Sequence, residues 1–374
     1  MNESDLTRNA AMLHGSLSKR GYCRWWHSFC GVQKETGAVR TFFVEFYILN
    51  PGLGGSQPIL GQHPYCRKKG LKPSYVCIKA GVLPDGEGNS GRQFHAFYPI
   101  EALKATPSPL VMQVGDCFYS EERIYGFVDV SREEARHKSL MSDAGSMEWD
   151  LEVHKAVACH TGFLSGAFLQ FFNALDSYWH GEGIKSFFRG TVILDGVSYE
   201  VEPETSNGYA DKHWGRNFNR PWIQIGCGSL TSEKNNRVLK HSCLAVNGCC
   251  PRFLFLPLKR KLLLQLTYMG EDFEFGISPF LLSRCKWETK ETNRRYIWHI
   301  IARNKNAVIK ISCSCTREEL MQMQYENPEG IKSRRPLLAG GNGVGIIQLY
   351  RRTPGGRELL DTLHMENTFC EYQA

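Results

Sequence analysis

Val192-Ile193-Leu194-Asp195-Gly196-Val197-Ser198-Tyr199-Glu200-Val201 joins two β-prone runs through an Asp-Gly pair. A two-residue Asp-Gly link between such runs is a strong short-range signal for a tight hairpin, because both residues tolerate positive φ. In the second run Val197, Tyr199 and Val201 alternate with Ser198, Glu200 and Glu202, which gives one apolar and one polar face. The same period of two recurs elsewhere. Met147, Trp149, Leu151 and Val153 alternate with Glu148, Asp150, Glu152 and His154, and Phe273, Phe275 and Ile277 alternate with Asp272, Glu274 and Gly276. Tyr296, Trp298 and Ile300 form another such run. Turn signals punctuate the chain at Pro51-Gly52, Pro84-Asp85-Gly86, Asn247-Gly248 and Pro354-Gly355-Gly356. The pattern predicts a mainly β protein of antiparallel barrels or sandwiches. One helix is expected from Gly162 to Tyr178, where Leu164, Phe168, Phe171, Leu175 and Tyr178 recur at spacings of three and four. It falls near the middle, so a boundary is expected between 160 and 185, with an N-terminal β module over 1–165 and a C-terminal one over 166–374.

A chain of 374 residues buries a substantial core, and 22% charged with 42% hydrophobic residues describes neither a disordered nor a membrane-embedded protein. Lys and Arg outnumber Asp and Glu, 45 to 38, for a net charge of +7. The excess is spread over short clusters such as Arg67-Lys68-Lys69, Lys259-Arg260-Lys261 and Arg334-Arg335, so no nucleic-acid partner is expected. A solvated surface is the stronger reading, and peripheral contact with anionic membrane the weaker one. Met1 to Gly15 lacks the apolar stretch of a secretory signal, and no run reaches the roughly 18 to 20 apolar residues of a membrane helix. Fourteen cysteines without a signal or a Cys-x-x-Cys pair point to reduced thiols and a cytoplasmic location. Cys313 and Cys315 fall on the face of Ile309 and Ile311 and read as small buried hydrophobes.

Other chemistries find little support. Gly341-Asn342-Gly343-Val344-Gly345 precedes a strand-like run, not a helix, so it reads as a glycine-rich hairpin turn and not as a nucleotide loop. No Gly-x-Ser-x-Gly elbow occurs. Cys159 and His160 are adjacent, and on a strand they face opposite ways. The histidines show no metal-ligand spacing, so neither metal nor cofactor is expected.

The segment from Gly208 to Gln224 stands apart: Gly-Tyr-Ala-Asp-Lys-His-Trp-Gly-Arg-Asn-Phe-Asn-Arg-Pro-Trp-Ile-Gln. It concentrates aromatic surface and a few polar groups, the composition of a pocket wall. It resembles the signature of the tocopherol-cyclase-like family, roughly Tyr-x-Glu/Asp-Lys/His-Asn-Trp-Gly-x-x-Phe followed by Trp-x-Trp-x-Gln. Tyr209, Asp211, Lys212, Trp214, Gly215, Phe218, Trp222 and Gln224 match. His213 replaces the usual Asn, Asn219 stands where Pro is common, and Ile223 interrupts the Trp-rich run. Gly21, Trp25 and Trp26 are similar in kind to the family's early Glu-Gly-Trp-Tyr motif, with Arg20 in place of its Glu. The resemblance implies two lipocalin-like antiparallel β modules packed side by side with an apolar cavity. It also implies a cofactor-independent, acid-catalysed reaction: cyclisation of a prenylated phenol or quinol, as by an intramolecular lyase, or hydration of an isoprenoid alkene.

Both reactions begin by protonating an alkene, which requires a carboxylic acid kept neutral by burial and aromatic faces for the cation. Asp211 is the leading acid. On a strand it shares a face with Tyr209 and His213, while Lys212 and Trp214 take the other. His213 is placed to tune or relay the proton. Trp214, Trp222, Phe218, Trp25 and Lys212 would contact substrate, and Gln224 would orient a hydroxyl. Glu204 and Asp150 are reserve acids. The bland alternatives are a surface Asp211-Lys212 ion pair and a packing corner at Trp214-Gly215. Trp149 and Trp298 read as core. The competing function is a non-catalytic carrier of a hydrophobic small molecule, since lipocalin-like cavities often only carry.

Overall fold

Period-2 alternation becomes strand throughout the computed structural model, which describes residues 8–159, 175–218, 220–253, 256–276, 283–331 and 336–374. Strands hold 61% of the chain and helices 6%, so the mainly β expectation holds. The first sheet contains β1 (Tyr22–Gln33), β2 (Val39–Leu49), β3 (Tyr75–Val82), β4 (Arg92–Tyr98), β5 (Lys104–Pro107), β6 (Leu110–Val114), β7 (Cys117–Tyr119), β8 (Arg123–Val130), β9 (Gly145–Val157), β10 (Ser177–Leu194), β11 (Val197–Val201) and β12 (Gly208–Gly215). It runs from β4 through β1 and β10 to β5, and it curls until β4 lies against β8. The β10–β11 hairpin forms as expected, with Leu194 opposite Val197 and positive φ at Asp195 (48°) and Gly196 (83°).

The second sheet contains β13 (Trp222–Cys227), β14 (Ser229–Ser232), β15 (Arg237–Val238) and β16 (Cys243–Cys249). After the short β17 (Arg252–Phe253) and β18 (Leu256–Pro257), which pair only with each other, it continues with β19 (Lys261–Tyr268), β20 (Glu271–Phe275), β21 (Arg284–Glu291), β22 (Arg295–Arg303), β23 (Ala307–Thr316), β24 (Met321–Met323), β25 (Leu337–Thr353) and β26 (Gly356–Gln373). It too is antiparallel and curled, with β19 approaching β21.

Each sheet encloses an apolar core, with Trp149 in the first and Trp298 in the second. A third buried cluster lies between them and draws Trp26, Phe43, Tyr47, Trp179 and Tyr209 from the first sheet, Trp222 and Phe369 from the second, and Tyr325 from the connection after β24.

Several expectations are corrected. The change of sheet falls between Gly215 and Trp222, not at 165/166, because β12 pairs with β1 and β10 and so keeps residues 177–215 in the first module. Most of the expected helix lies outside the described residues, and its last member, Tyr178, is in strand β10. Asn247-Gly248 is inside β16, where a Cβ on Gly248 would meet Ile223 at 2.7 Å, so packing explains that glycine. Gly341 to Gly345 is a bulged part of β25 and not a turn. A side chain at Gly341 would strike Thr41 of the first module at 2.8 Å, so the glycine permits close module packing. All fourteen cysteines are free thiols. Ile277, His160, Asn219 and Arg334-Arg335 lie outside the described residues.

Candidate active site between the modules

Strand β12 is buried along its whole length, which a sequence carrying Asp, Lys and His permits only where each charge finds a partner. It sits between β1 and β10, so one face looks into the first module and the other onto the second. Alternation sorts its residues. Tyr209, Asp211 and His213 take the inter-module face, and Lys212 and Trp214 enter the first module.

Asp211 is fully buried. Its Oδ2 accepts hydrogen bonds from Trp179 Nε1 at 3.0 Å and Tyr209 Oη at 2.8 Å, and from Gln224 Nε2 of the second module. Its Oδ1 has no hydrogen-bond partner among the described residues. Burial pushes the carboxyl up to about 7, with Arg24 opposing and Glu371 reinforcing the rise. Burial likewise raises the Tyr209 phenol, which therefore remains a proton donor near neutral pH. His213 meets the Trp222 ring edge-on at 4.3 Å, and neither ring nitrogen has a hydrogen-bond partner among the described residues. Burial, then Arg24, lowers its pKa well below the usual range, so it is a neutral imidazole.

A second layer of charge surrounds this face. Arg24 donates to both oxygens of Glu371, at 2.9 and 2.8 Å, and to Tyr325 Oη at 2.9 Å. Trp222 Nε1 donates to Glu371 at 3.1 Å. Tyr325 donates to Glu45, which also lies 3.3 Å from Lys79 Nζ. Lys79 stands 3.2 Å from the centroid of the Tyr325 ring. None of Arg24, Glu45, Lys79, Tyr325, Glu371 and Trp179 was singled out from sequence as a site residue. A signal existed for three of them: Glu45, Lys79 and Arg24 are lone charges in apolar runs, Phe42-Phe43-Val44-Glu45-Phe46, Val76-Cys77-Ile78-Lys79-Ala80 and Cys23-Arg24-Trp25-Trp26.

The structure brings Gln224 to Asp211 and Trp222 to its neighbour His213, and puts Lys212, Trp214 and Trp25 on the other side of the sheet. Lys212 Nζ donates to the carbonyls of Arg8 and Ala10 and lies 4.4 Å and 5.5 Å from the Trp214 and Trp25 ring centroids. Trp25 Nε1 donates to the Asn9 carbonyl at 2.8 Å. This half of the motif holds the N-terminal segment in the mouth of the first module. Asp211 and Lys212 therefore form no surface ion pair. Phe218 stacks on Tyr22 at 4.4 Å and, with Tyr325, Met323, Leu337 and Gln373, lines a cleft of about 40 Å³. The reserve acids are both at the surface, Asp150 paired with Arg123 at 2.8 Å and Glu204 exposed. Among the described residues no group of three or more His, Cys, Asp or Glu is placed to hold a metal.

No protein-family model matches the chain, and no curated protein does. Among solved structures, the crystal structure of kievitone hydratase from Nectria haematococca is similar at 12% identity, over 96% of this chain and 93% of that one, with a TM-score of 0.43. At that distance the likeness carries no argument about substrate or mechanism.

Proposed function

We propose that the chain is a cofactor-independent acid catalyst of the tocopherol-cyclase-like kind, which protonates the alkene of a prenylated phenol or quinol, or of another isoprenoid, and then closes a ring or adds water. The observation that carries this reading is the asymmetry of Asp211: three donors on Oδ2, no partner on Oδ1, in a fully buried carboxyl raised to about 7. A proton held on Oδ1 has no competing acceptor among the described residues. It passes to an alkene carbon as the π bond opens and a C–H bond forms. The three donors on Oδ2 then stabilise the carboxylate left behind. The rings nearest the acid, Trp179 bonded to Asp211 and Trp222 beside His213, supply electron-rich surface for the carbocation. The substrate's own phenolic oxygen, or a water, attacks the cation. The proton this releases returns to the Asp211 carboxylate, which restores the acid for the next turnover.

The test is incubation of purified protein with prenylated quinols and phenols, followed by chromatography and mass spectrometry for an isomer or a hydrate. Asp211→Asn matches the carboxyl in size but cannot donate a carboxylic proton. It lowers kcat by at least about a hundredfold while binding is nearly unchanged. Full activity in Asp211→Asn removes Asp211 from the role. Binding without turnover by the wild type establishes a carrier instead.

A further inference from the structure

The outer face of the second module carries a charge arrangement that folding alone disfavours. β21 is the edge strand of its sheet, and there Arg284 sits directly opposite Arg303 of β22. Like charges directly opposite across strands destabilise a sheet. With Lys305, Arg352 and Arg357 they line an open hollow of about 850 Å³ whose described walls contain no Asp or Glu. All five side chains are exposed, and none forms an ion pair among the described residues. Ile301, 49% exposed, lies in the same hollow. Beyond Ile301 the patch continues through Arg260 and Lys286, against the single carboxylate of Glu288.

We propose that this face docks on an anionic lipid bilayer, with the five cations against the headgroup phosphates and carboxylates and Ile301 against the acyl boundary. The cations are spread along a sheet edge and the tip of the β25–β26 hairpin, which suits a charged plane better than a single small anion. Among the described residues no aromatic ring lines the hollow, which gives the bases of a single-stranded nucleic acid nothing there to stack on. Lys and Arg are drawn to an anionic leaflet within about a Debye length, and an exposed apolar side chain adds burial at the boundary. The inference is independent of the chemistry proposed for Asp211.

The experiment is co-sedimentation of the full chain with vesicles of phosphatidylcholine alone or mixed with phosphatidylserine. Wild type is expected to sediment with the mixed vesicles, to stay in the supernatant with pure phosphatidylcholine vesicles, and to dissociate in high salt. Arg284→Glu with Arg303→Glu is expected to lower partitioning about tenfold or more. Lys305→Glu, in the β22–β23 turn, gives the same sign without touching the strand pairing. Lys234→Glu with Arg237→Glu, on the exposed β14–β15 turn, leaves partitioning unchanged. Equal binding to both vesicles, no binding to either, or indifference to the charge reversals overturns the proposal. So does release by inorganic phosphate at an ionic strength where chloride releases nothing, which would mark a small-anion site. Tighter binding to single-stranded RNA than to vesicles also overturns it.

Discussion

Replacing Asp211 by Asn should stabilise the protein, and by an amount that grows with pH. The carboxyl rises from 3.8 to about 7 on folding, chiefly through burial. Such a group binds its proton more tightly when folded than when unfolded. Its contribution is fully present below about pH 3.8, fades above it, and is lost once the pH passes about 7. The whole difference corresponds to about 4 kcal/mol, of which roughly 2.5 kcal/mol falls between about pH 5 and pH 8. Asn is neutral throughout and keeps a carbonyl oxygen to accept from Trp179 and Tyr209. The measurement is urea unfolding of wild type and Asp211→Asn at about pH 5 and pH 8, with the difference taken at each pH. Glu326 is also pushed up to about 7, mainly by burial, but it is present in both proteins and cancels. The stability gap should widen in favour of Asn by roughly 2.5 kcal/mol on going to the higher pH. A gap that stays constant, or one that favours Asp at high pH, refutes the idea that Asp211 is protonated in the folded protein near neutrality. A gap that widens while turnover disappears is the signature of a group retained for chemistry at the expense of stability.

Two further variants probe how the modules hold the acid. Arg24→Met leaves Glu371 and Glu45 buried with only Lys79 to offset them, and should cost about 3 to 5 kcal/mol in denaturant unfolding; adding Glu371→Gln should recover part of that loss. Gly226→Ala places a Cβ 2.2 Å from Cε2 of Tyr209, so the ring that donates to Asp211 must shift; the expected cost is about 1 to 3 kcal/mol in stability, and any turnover falls with it.

The sequence made local matters legible and left long-range ones hidden. The Asp195-Gly196 hairpin and the sorting of Tyr209, Asp211 and His213 from Lys212 and Trp214 follow from turn chemistry and a period of two, both of which act over a few residues. Which module owns β12 does not follow, because it is decided by pairing with β1, whose Tyr22 lies opposite Gly215. The charged partners of the site were equally out of reach, since Arg24 and Glu371 stand 347 residues apart and meet only when the two ends of the chain pack together. Asn247-Gly248 shows the opposite failure. A strong local turn signal was overridden, because β16 needs a glycine where Ile223 and Leu262 close in from either side.

Charge balance explains why the acid sits between the modules and in neither core. Arg24 and Lys79 face Glu45 and Glu371, two positive groups against two negative ones, all buried and linked by ion pairs and Tyr325. That set is neutral without Asp211. His213 adds nothing, because burial keeps it uncharged. Ionising Asp211 would therefore leave one uncompensated negative charge in a buried interface, which is the costly state for any buried ion. Keeping its proton costs nothing of the kind. Glu371 reinforces this from the second module, and Arg24 tempers it from the first. The opposing contributions come from different sheets, so the acid strength of Asp211 is a property of the docked pair. A substrate that enters between the sheets would meet the acid, its tuning charges and the aromatic rings together, which neither module supplies alone.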